Sequence, residues 1–155
     1  MLAPFQKDGV SFLTQHQGGL LADQPGTGKT LQMIETIKSL VTQGNILVLA
    51  PMVAAHVSWP EELAKWTDDE VIIIKGGKAT KEKLLSKVII SPPQGRRWIV
   101  ANFETARVRY FRGDPKTGTK PKYEEHFKDL FQISLQALII DESHLVLPTD
   151  KTKLY

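Results

Sequence analysis

The stretch Ala22-Asp23-Gln24-Pro25-Gly26-Thr27-Gly28-Lys29-Thr30 constrains this chain more than any other. An apolar step, Leu20-Leu21, precedes it, and a helical run (Leu31, Ile34, Ile37, Leu40, Val41) follows. A turn that feeds a helix and ends in Thr-Gly-Lys-Thr matches the pattern of a phosphate-cradling loop, with Ala22 where the usual pattern has its first glycine. Backbone N–H groups converge on phosphate oxygens only where no side chain intervenes. Gly26 and Gly28 supply that space and the dihedrals it needs. The helix behind the loop presents free N–H groups and the positive end of its dipole to an anion. On this reading Lys29 reaches the β- and γ-phosphates, and the Thr30 hydroxyl ligates Mg²⁺. A Gly-rich turn before a helix is also often only a turn. A second element has to decide.

That element is Ala137-Leu138-Ile139-Ile140-Asp141-Glu142-Ser143-His144. An apolar run ending in two carboxylates reads as a buried parallel strand that delivers acids to its C-terminal edge, where ligands of open α/β sheets bind. Asp141 is then placed to hold Mg²⁺, directly or through water, and Glu142 to polarise an attacking water. The plainer reading is a strand followed by a solvated acidic turn. The phosphate loop upstream favours the catalytic one.

With 155 residues the chain is long enough for one domain with its own core. Hydrophobic residues make up 41% and charged residues 24%, as in ordinary globular proteins. The absence of cysteine excludes disulfide and thiol chemistry. No apolar run approaches the length of a membrane span, and Met1 to Asp8 lacks the apolar core of a signal peptide. The expected setting is the cytoplasm, or the nucleus in a eukaryote, and not the cell exterior. A net charge of +3 permits a nucleic-acid partner without arguing for one.

Taken in order, the sequence predicts a helix from Pro4 to Gln17, weakened by Gly9, and a short buried strand at Leu20-Leu21-Ala22. A helix from Lys29 to about Thr42 follows, with Gly44 placed to end it. Strands are predicted at Asn45–Pro51, Val71–Lys75, Trp98–Asn102 and the run before Asp141. Between them lie helical patterns at Val53–Trp66, with Pro60 as a kink or a fresh start, and at Thr80–Lys87, read as a solvated Lys-rich face. Val88-Ile89-Ile90 is apolar but cut off by Ser91-Pro92-Pro93, and its state stays open. Phe103–Arg107 reads as the start of a helix, Arg112–Lys122 as an exposed loop and Tyr123–Phe131 as a helix. Strands alternating with helices imply an α/β, doubly wound, mostly parallel sheet with helices on both faces. Trp59, Trp66 and Trp98 read as core more than as base-stacking platforms. His16, His56 and His126 have no partners at metal-ligand spacing. The arginines at 96, 97, 107, 109 and 112 fit either a phosphate track or a solvated surface.

The order of these motifs resembles the N-terminal RecA-like lobe of superfamily-2 helicases, and among them the Swi/Snf-type DNA-dependent ATPases. Pro4-Phe5-Gln6-Lys7-Asp8-Gly9-Val10 resembles the family's glutamine motif, which implies that Gln6 recognises adenine. Leu21 to Thr30 resembles motif I, or Walker A, including the alanine in place of the first glycine; Gly26, Thr27, Gly28, Lys29 and Thr30 would hold the nucleotide. Leu47-Val48-Leu49-Ala50-Pro51 resembles motif Ia, and Trp59 to Trp66 the segment that ends in Lys-Trp. Ile99 to Thr105 resembles an element that touches the nucleic-acid backbone. Asp141-Glu142-Ser143-His144 resembles the Asp-Glu-Ala-His box, in which His144 would couple the ATP site to the nucleic-acid side. Gln24-Pro25, Thr27 and Ser143 depart from the family's usual Glu-Met, Leu and small residue.

The resemblance implies a RecA-like P-loop fold, ATP and Mg²⁺ as ligands, and DNA, most simply duplex, as a partner. It places Pro51, Asn102, Thr105 and Arg107 near the nucleic-acid backbone. It also implies a further strand and a second lobe after the acidic box, whereas this sequence stops at Tyr155. In the family an arginine from the second lobe stabilises the transferring phosphate, an effect of about 10³–10⁵ in rate. The expectation is therefore an incomplete lobe over residues 1–155, with little or no turnover alone. Either the chain is a fragment of a larger translocase or a separate chain carrying the second lobe completes it, and an open sheet edge invites self-association. The alternative is a non-catalytic DNA- or protein-binding module derived from a helicase lobe.

Overall fold

The computed structural model describes residues 2–16, 18–111, 116–120, 122–125 and 127–146, apart from the side chains of 108–111 and 122–125. Two apolar runs, β1 (Gly44–Ala50) and β3 (Arg96–Asn102), are buried along almost their whole length. Strands buried on both faces belong at the centre of a parallel sheet. They pair in parallel with Ile46 beside Trp98 and Val48 beside Val100. β2 (Glu70–Ile74) flanks β3 and β6 (Leu135–Ile140) flanks β1, giving the order β2-β3-β1-β6 with every pair parallel. A separate antiparallel pair joins β4 (Val108–Phe111) to β5 (Lys122–Glu125).

Helices cover both faces. On one, Ile34 and Ile37 of α2 (Lys29–Leu40) and Trp59 and Leu63 of α3 (Trp59–Trp66) pack on Ile46, Val48, Trp98, Val100 and Ile139. On the other, Leu85 and Val88 of α4 (Lys78–Ile90), with Leu130 and Ile133, pack on Leu47, Ile74, Ile99 and Ala101. Each such buried aliphatic or aromatic side chain contributes about 1.5–3 kcal/mol. The architecture is the expected α/β fold of a RecA-like lobe. An N-terminal helix, α1 (Pro4–Thr14), lies against α2.

Several local expectations change. Leu20-Leu21-Ala22 is not a strand: it pairs with no backbone among the described residues, and Leu20 is 69% exposed. A strand without a ladder partner has only water for its N–H and C=O groups, so the segment runs as unpaired chain. α4 begins at Lys78 and absorbs Val88-Ile89-Ile90. Leu85 and Val88 share one helical face there, both buried, so the helix is a core element and not merely a solvated one. Phe103–Arg107 forms a turn, not a helix, because Asn102 Oδ1 accepts the Thr105 N–H at 3.2 Å and so satisfies the donor locally. Tyr123–Phe131 divides into β5 and a 3₁₀ turn at Lys128–Gln132, since β5 finds its backbone partners on β4. Gly44 opens β1 and does not cap α2, which ends on an extended Val41. At φ 125° it lies where a Cβ would meet the Gln136 side chain at 2.2 Å. The loop expectation for 112–115 and 121, and His126, lie outside the described residues.

At the N-terminal edge of the sheet Asp69 is an acceptor hub. Arg96 Nε donates to it at 2.7 Å and Trp98 Nε1 at 2.9 Å. Burial pushes its carboxyl up, but hydrogen bonds from Arg96, Thr67 and Trp98, with the guanidinium charge, outweigh this and hold it below the ordinary carboxylate value. A depressed folded-state pKa means stability that is present above the unfolded value, near 4, and lost as pH falls through the folded one. The prediction is that Asp69→Asn costs about 1.5–3 kcal/mol at neutral pH. It also makes the melting temperature fall less steeply than wild type's as pH drops below about 4. A Tm–pH profile for both proteins checks this.

Candidate functional site

Residues 41–43 connect α2 to β1, so the helix has to run back antiparallel to the strand it precedes. That puts the N-terminus of α2 at the edge where β1, β3 and β6 end in Ala50, Asn102 and Ile140. The phosphate-loop residues and the acidic pair therefore share the C-terminal edge, as the sequence predicts.

The loop is held by its glycines and its own side chains. Gly26 and Gly28 sit at φ 82° and 74°, in the left-handed region that favours glycine. A Cβ on Gly26 would meet open space, whereas one on Gly28 would lie 2.5 Å from Gln6 Nε2. That Gln6 amide donates to the Thr27 carbonyl at 3.0 Å, and its Oε1 accepts the Ala3 N–H at 2.9 Å. The Thr27 hydroxyl donates to Gln24 O at 2.8 Å. Lys29 Nζ donates to the carbonyls of Asp23 and Gln24 at 2.9 and 3.0 Å, which lays the ammonium against the loop. α2 has no side-chain cap, so its first N–H groups remain open to an anion. Thr30 follows Lys29 in the first turn.

Sequence reasoning missed Gln32. It is fully buried in α2, and its amide lies 3.4 Å from Asp23 Oδ2 and 3.5 Å from Thr27 O, contacts at the long limit, while Oε1 has no partner. A Cβ on Gly9 would lie 2.0 Å from that Oε1. Gly9 is tolerated inside α1 because α1 and α2 approach closely there. The available signal was a glutamine set next to an apolar helical stripe, one turn inside the loop.

On the acidic side, Asp141 extends the β6 ladder, its N–H donating to Leu49 O at 2.9 Å. Its Oδ2 accepts the indole N–H of Trp59 at 2.9 Å and its Oδ1 the N–H of Glu142 at 3.0 Å. Glu142, at φ 49°, is the one non-glycine residue with positive φ among those described. Such backbone strain concentrates at functional positions. Its side chain is exposed and lies 3.3 Å from His144 Nδ1. No hydrogen bond joins Asp141 or Glu142 to the loop among the described residues.

The remaining candidates divide. Pro51 ends β1, and its carbonyl accepts the Ala55 N–H at 2.8 Å. Asn102 and Thr105 are buried and turned on each other: Thr105 Oγ1 donates to Asn102 Oδ1 at 2.7 Å and accepts from Lys81 Nζ at 3.1 Å. Arg107 is exposed beside Glu104 at 3.0 Å. Arg96 and Arg97 lie at the opposite edge, paired with Asp69 and Glu70 at 2.7 Å each.

The site fits a nucleotide and Mg²⁺. Glycines leave backbone N–H groups bare, a lysine is at hand, and one aspartate stands at the strand end. No cluster of three or more His, Asp or Glu occurs among the described residues. Mg²⁺ suits this, since it is held by one or two protein oxygens plus phosphates and water.

Residues 5–154 match the family described as "SNF2-related domain". The chain belongs to this family. This SNF2-related domain is 35% identical over 98 residues to the "ISWI chromatin-remodeling complex ATPase ISW1" of Saccharomyces cerevisiae, covering 57% of the chain and 9% of that protein. It is 33% identical over 110 residues to the "SWI/SNF-related matrix-associated actin-dependent regulator of chromatin subfamily A-like protein 1" of Xenopus laevis, covering 66% and 11%. It is 31% identical over 94 residues to the human "DNA annealing helicase and endonuclease ZRANB3", covering 57% and 9%. The chain thus spans about a tenth of the length of these relatives. It is an N-terminal lobe of the Swi/Snf ATPase type.

The loop geometry yields a contrast. Gly28→Ala meets both a strained φ and the Gln6 amide, and should lower stability by about 1–2 kcal/mol, the left-handed cost for an L-residue. It should also displace Gln6. Gly26→Ala meets strain alone and should leave Gln6 in place. Urea unfolding of both, with the Gln6 side-chain amide followed by NMR, separates the two effects.

Proposed function

We propose that this chain is the ATP-binding lobe of a DNA-dependent translocase. The observation that carries the reading is the juxtaposition at one sheet edge of an uncapped helix N-terminus behind the Gly26–Lys29 loop and the Asp141–Glu142 strand end. Gln6 reads adenine from its place against Thr27. Gly26, Thr27, Gly28 and Lys29 hold the phosphates. Thr30 and Asp141 hold Mg²⁺, which when bound neutralises charge on the phosphate oxygens. Lys29 leaves its two carbonyls to pair with phosphate, exchanging neutral acceptors for an anionic one. Glu142, exposed at the same sheet edge, orients water, and His144 beside it links that carboxylate to the nucleic-acid side.

DNA would run past the ends of β1 and β3, near Pro51 and Arg107. Asn102 and Thr105 serve this reading by shaping the turn that presents Arg107. Relatives named for chromatin remodelling and DNA annealing support a DNA partner, which we take as duplex, and a nuclear setting in a eukaryote or the cytoplasm otherwise. Turnover would need an arginine from a second RecA-like lobe, in keeping with relatives of which the matched part is only about a tenth. Among the described side chains, Arg96, Arg97 and Arg107 are each already paired with a carboxylate. The other class, a DNA- or protein-binding module without turnover, would retain DNA binding and lose the nucleotide.

Calorimetry with Mg²⁺-ATP tests the reading. The expected result is weak but measurable binding by the wild type, lost at least tenfold in Lys29→Ala, with negligible hydrolysis by either. Equal affinity in the two proteins, or a folded wild type that binds duplex DNA and no nucleotide, contradicts it.

The outer edge of β6 supports a proposal about association. It is unpaired among the described residues, and Leu138 and Ile140 are 52% and 41% exposed beside it. Such an edge invites strand addition by a second copy. Light scattering should show a mass that rises with concentration, and Leu138→Lys should hold the protein monomeric. A wild type that stays monomeric at high concentration rules this out.

A further inference from the structure

Three indoles in this chain each donate to a carboxylate: Trp59 to Asp141, Trp66 to Glu62 and Trp98 to Asp69. Two of these acceptors lie away from the candidate site. The third is the carboxylate assigned to Mg²⁺. We infer that Trp59 is a positioning residue for Asp141, one whose indole N–H orients the carboxylate for the metal. The inference rests on the nucleotide reading above.

Trp59 is 2% exposed and packs among Ile34, Leu63, Trp98 and Ile139. Its ring is fixed by that packing, and its single polar atom donates at 2.9 Å to Asp141 Oδ2 across 82 residues of sequence. Indole nitrogen is a donor only, so this bond suits the ionised acid and cannot turn round. Asp141 is held at two further points, by its own N–H on Leu49 O at 2.9 Å and by the Glu142 N–H on Oδ1 at 3.0 Å. Each carboxylate oxygen thus accepts one bond and keeps a second lone pair for the ion or its water. The ladder bond to Leu49 O leaves χ1 free, and the Glu142 N–H restrains the carboxylate through Oδ1 only. The indole is the second point of attachment, on Oδ2, and with the first it sets the plane of the carboxylate.

The approach to Trp59 is also specific. A π-helical turn, Ala54–Ser58, lies directly before α3. Such single-turn widenings are rare and cluster at functional sites. An α-helix turns about 100° per residue, so removing one residue there would swing Trp59 off Asp141. Pro60, one residue on, stands in the first turn of α3, where a residue without an N–H is tolerated. The bond therefore ties the segment after β1, where the proposed DNA track begins, to the metal carboxylate.

Trp59→Phe keeps an aromatic ring in the core, smaller than the indole, and loses the N–H. AMP-PNP binding, measured by calorimetry with Mg²⁺ and with EDTA, should show EDTA affinity unchanged and the gain from Mg²⁺ reduced about tenfold, as for other groups that orient a metal ligand. An undiminished Mg²⁺ gain in a folded Trp59→Phe overturns the inference while leaving the nucleotide reading intact. A wild type with no Lys29-dependent binding overturns both. Should Trp59→Phe not fold, ¹H–¹⁵N spectra of wild type decide. On adding Mg²⁺ to the AMP-PNP complex, the Trp59 indole resonance should move while those of Trp66 and Trp98 stay. Asp141→Asn should likewise shift Trp59 alone. A Trp59 resonance indifferent to both overturns the inference.

Discussion

The short link at residues 41–43 is the constraint on which the site depends. It forces α2 back along β1, so the start of α2 is delivered to the end of the sheet where β1 and β6 stop. The apolar stripe of α2 then has one place to go, onto Ile46, Val48 and Ile139, and this burial fixes the helix against the strand that leads to Asp141. The Lys29 turn and the acidic turn are thus brought together by hydrophobic packing between Ile34, Ile37 and Ile139. No polar bond between the two turns is needed to hold them.

The two ends of the sheet use charge differently. At the N-terminal edge every described arginine is satisfied locally, Arg96 by Asp69 and Arg97 by Glu70, with Trp98 adding a second donor to Asp69. Those groups are fully engaged and serve stability. At the C-terminal edge the polar groups keep spare capacity: helix N–H groups without a cap, an ammonium on neutral carbonyls, carboxylate oxygens with lone pairs left over. Spare hydrogen-bonding capacity at an exposed edge is what a ligand with many charged oxygens requires.

Much of this was legible in the sequence. The central strands, α2 and the acidic strand end follow from long apolar runs and from the Gly-Thr-Gly-Lys-Thr turn, signals strong enough to survive without tertiary context. What was not legible depended on partners distant in sequence. Leu20-Leu21-Ala22 looks like a strand until no neighbour pairs with it. Val88-Ile89-Ile90 becomes helix because Leu85 and Val88 meet the sheet together. Tyr123 to Glu125 becomes strand because β4 is there to receive it. Among the candidate site residues, Gln6, Lys29 and Asp141 were named from motif order, whereas Gln32 and Trp59 were not. Their roles rest on contacts to Gly9 and Asp141 that no local spacing encodes.

The central claim is that the Gly26–Thr30 loop and Asp141–Glu142 form one nucleotide site at the C-terminal edge. Paramagnetic broadening tests it directly. With ATP present and Mn²⁺ in place of Mg²⁺, amide signals of Gly26 to Thr30 and of Ile140 to Glu142 should broaden together. Those of Gly44, Glu70 and Arg96 at the opposite edge should stay sharp. Broadening confined to one of the two segments, or centred on the opposite edge, would contradict the account.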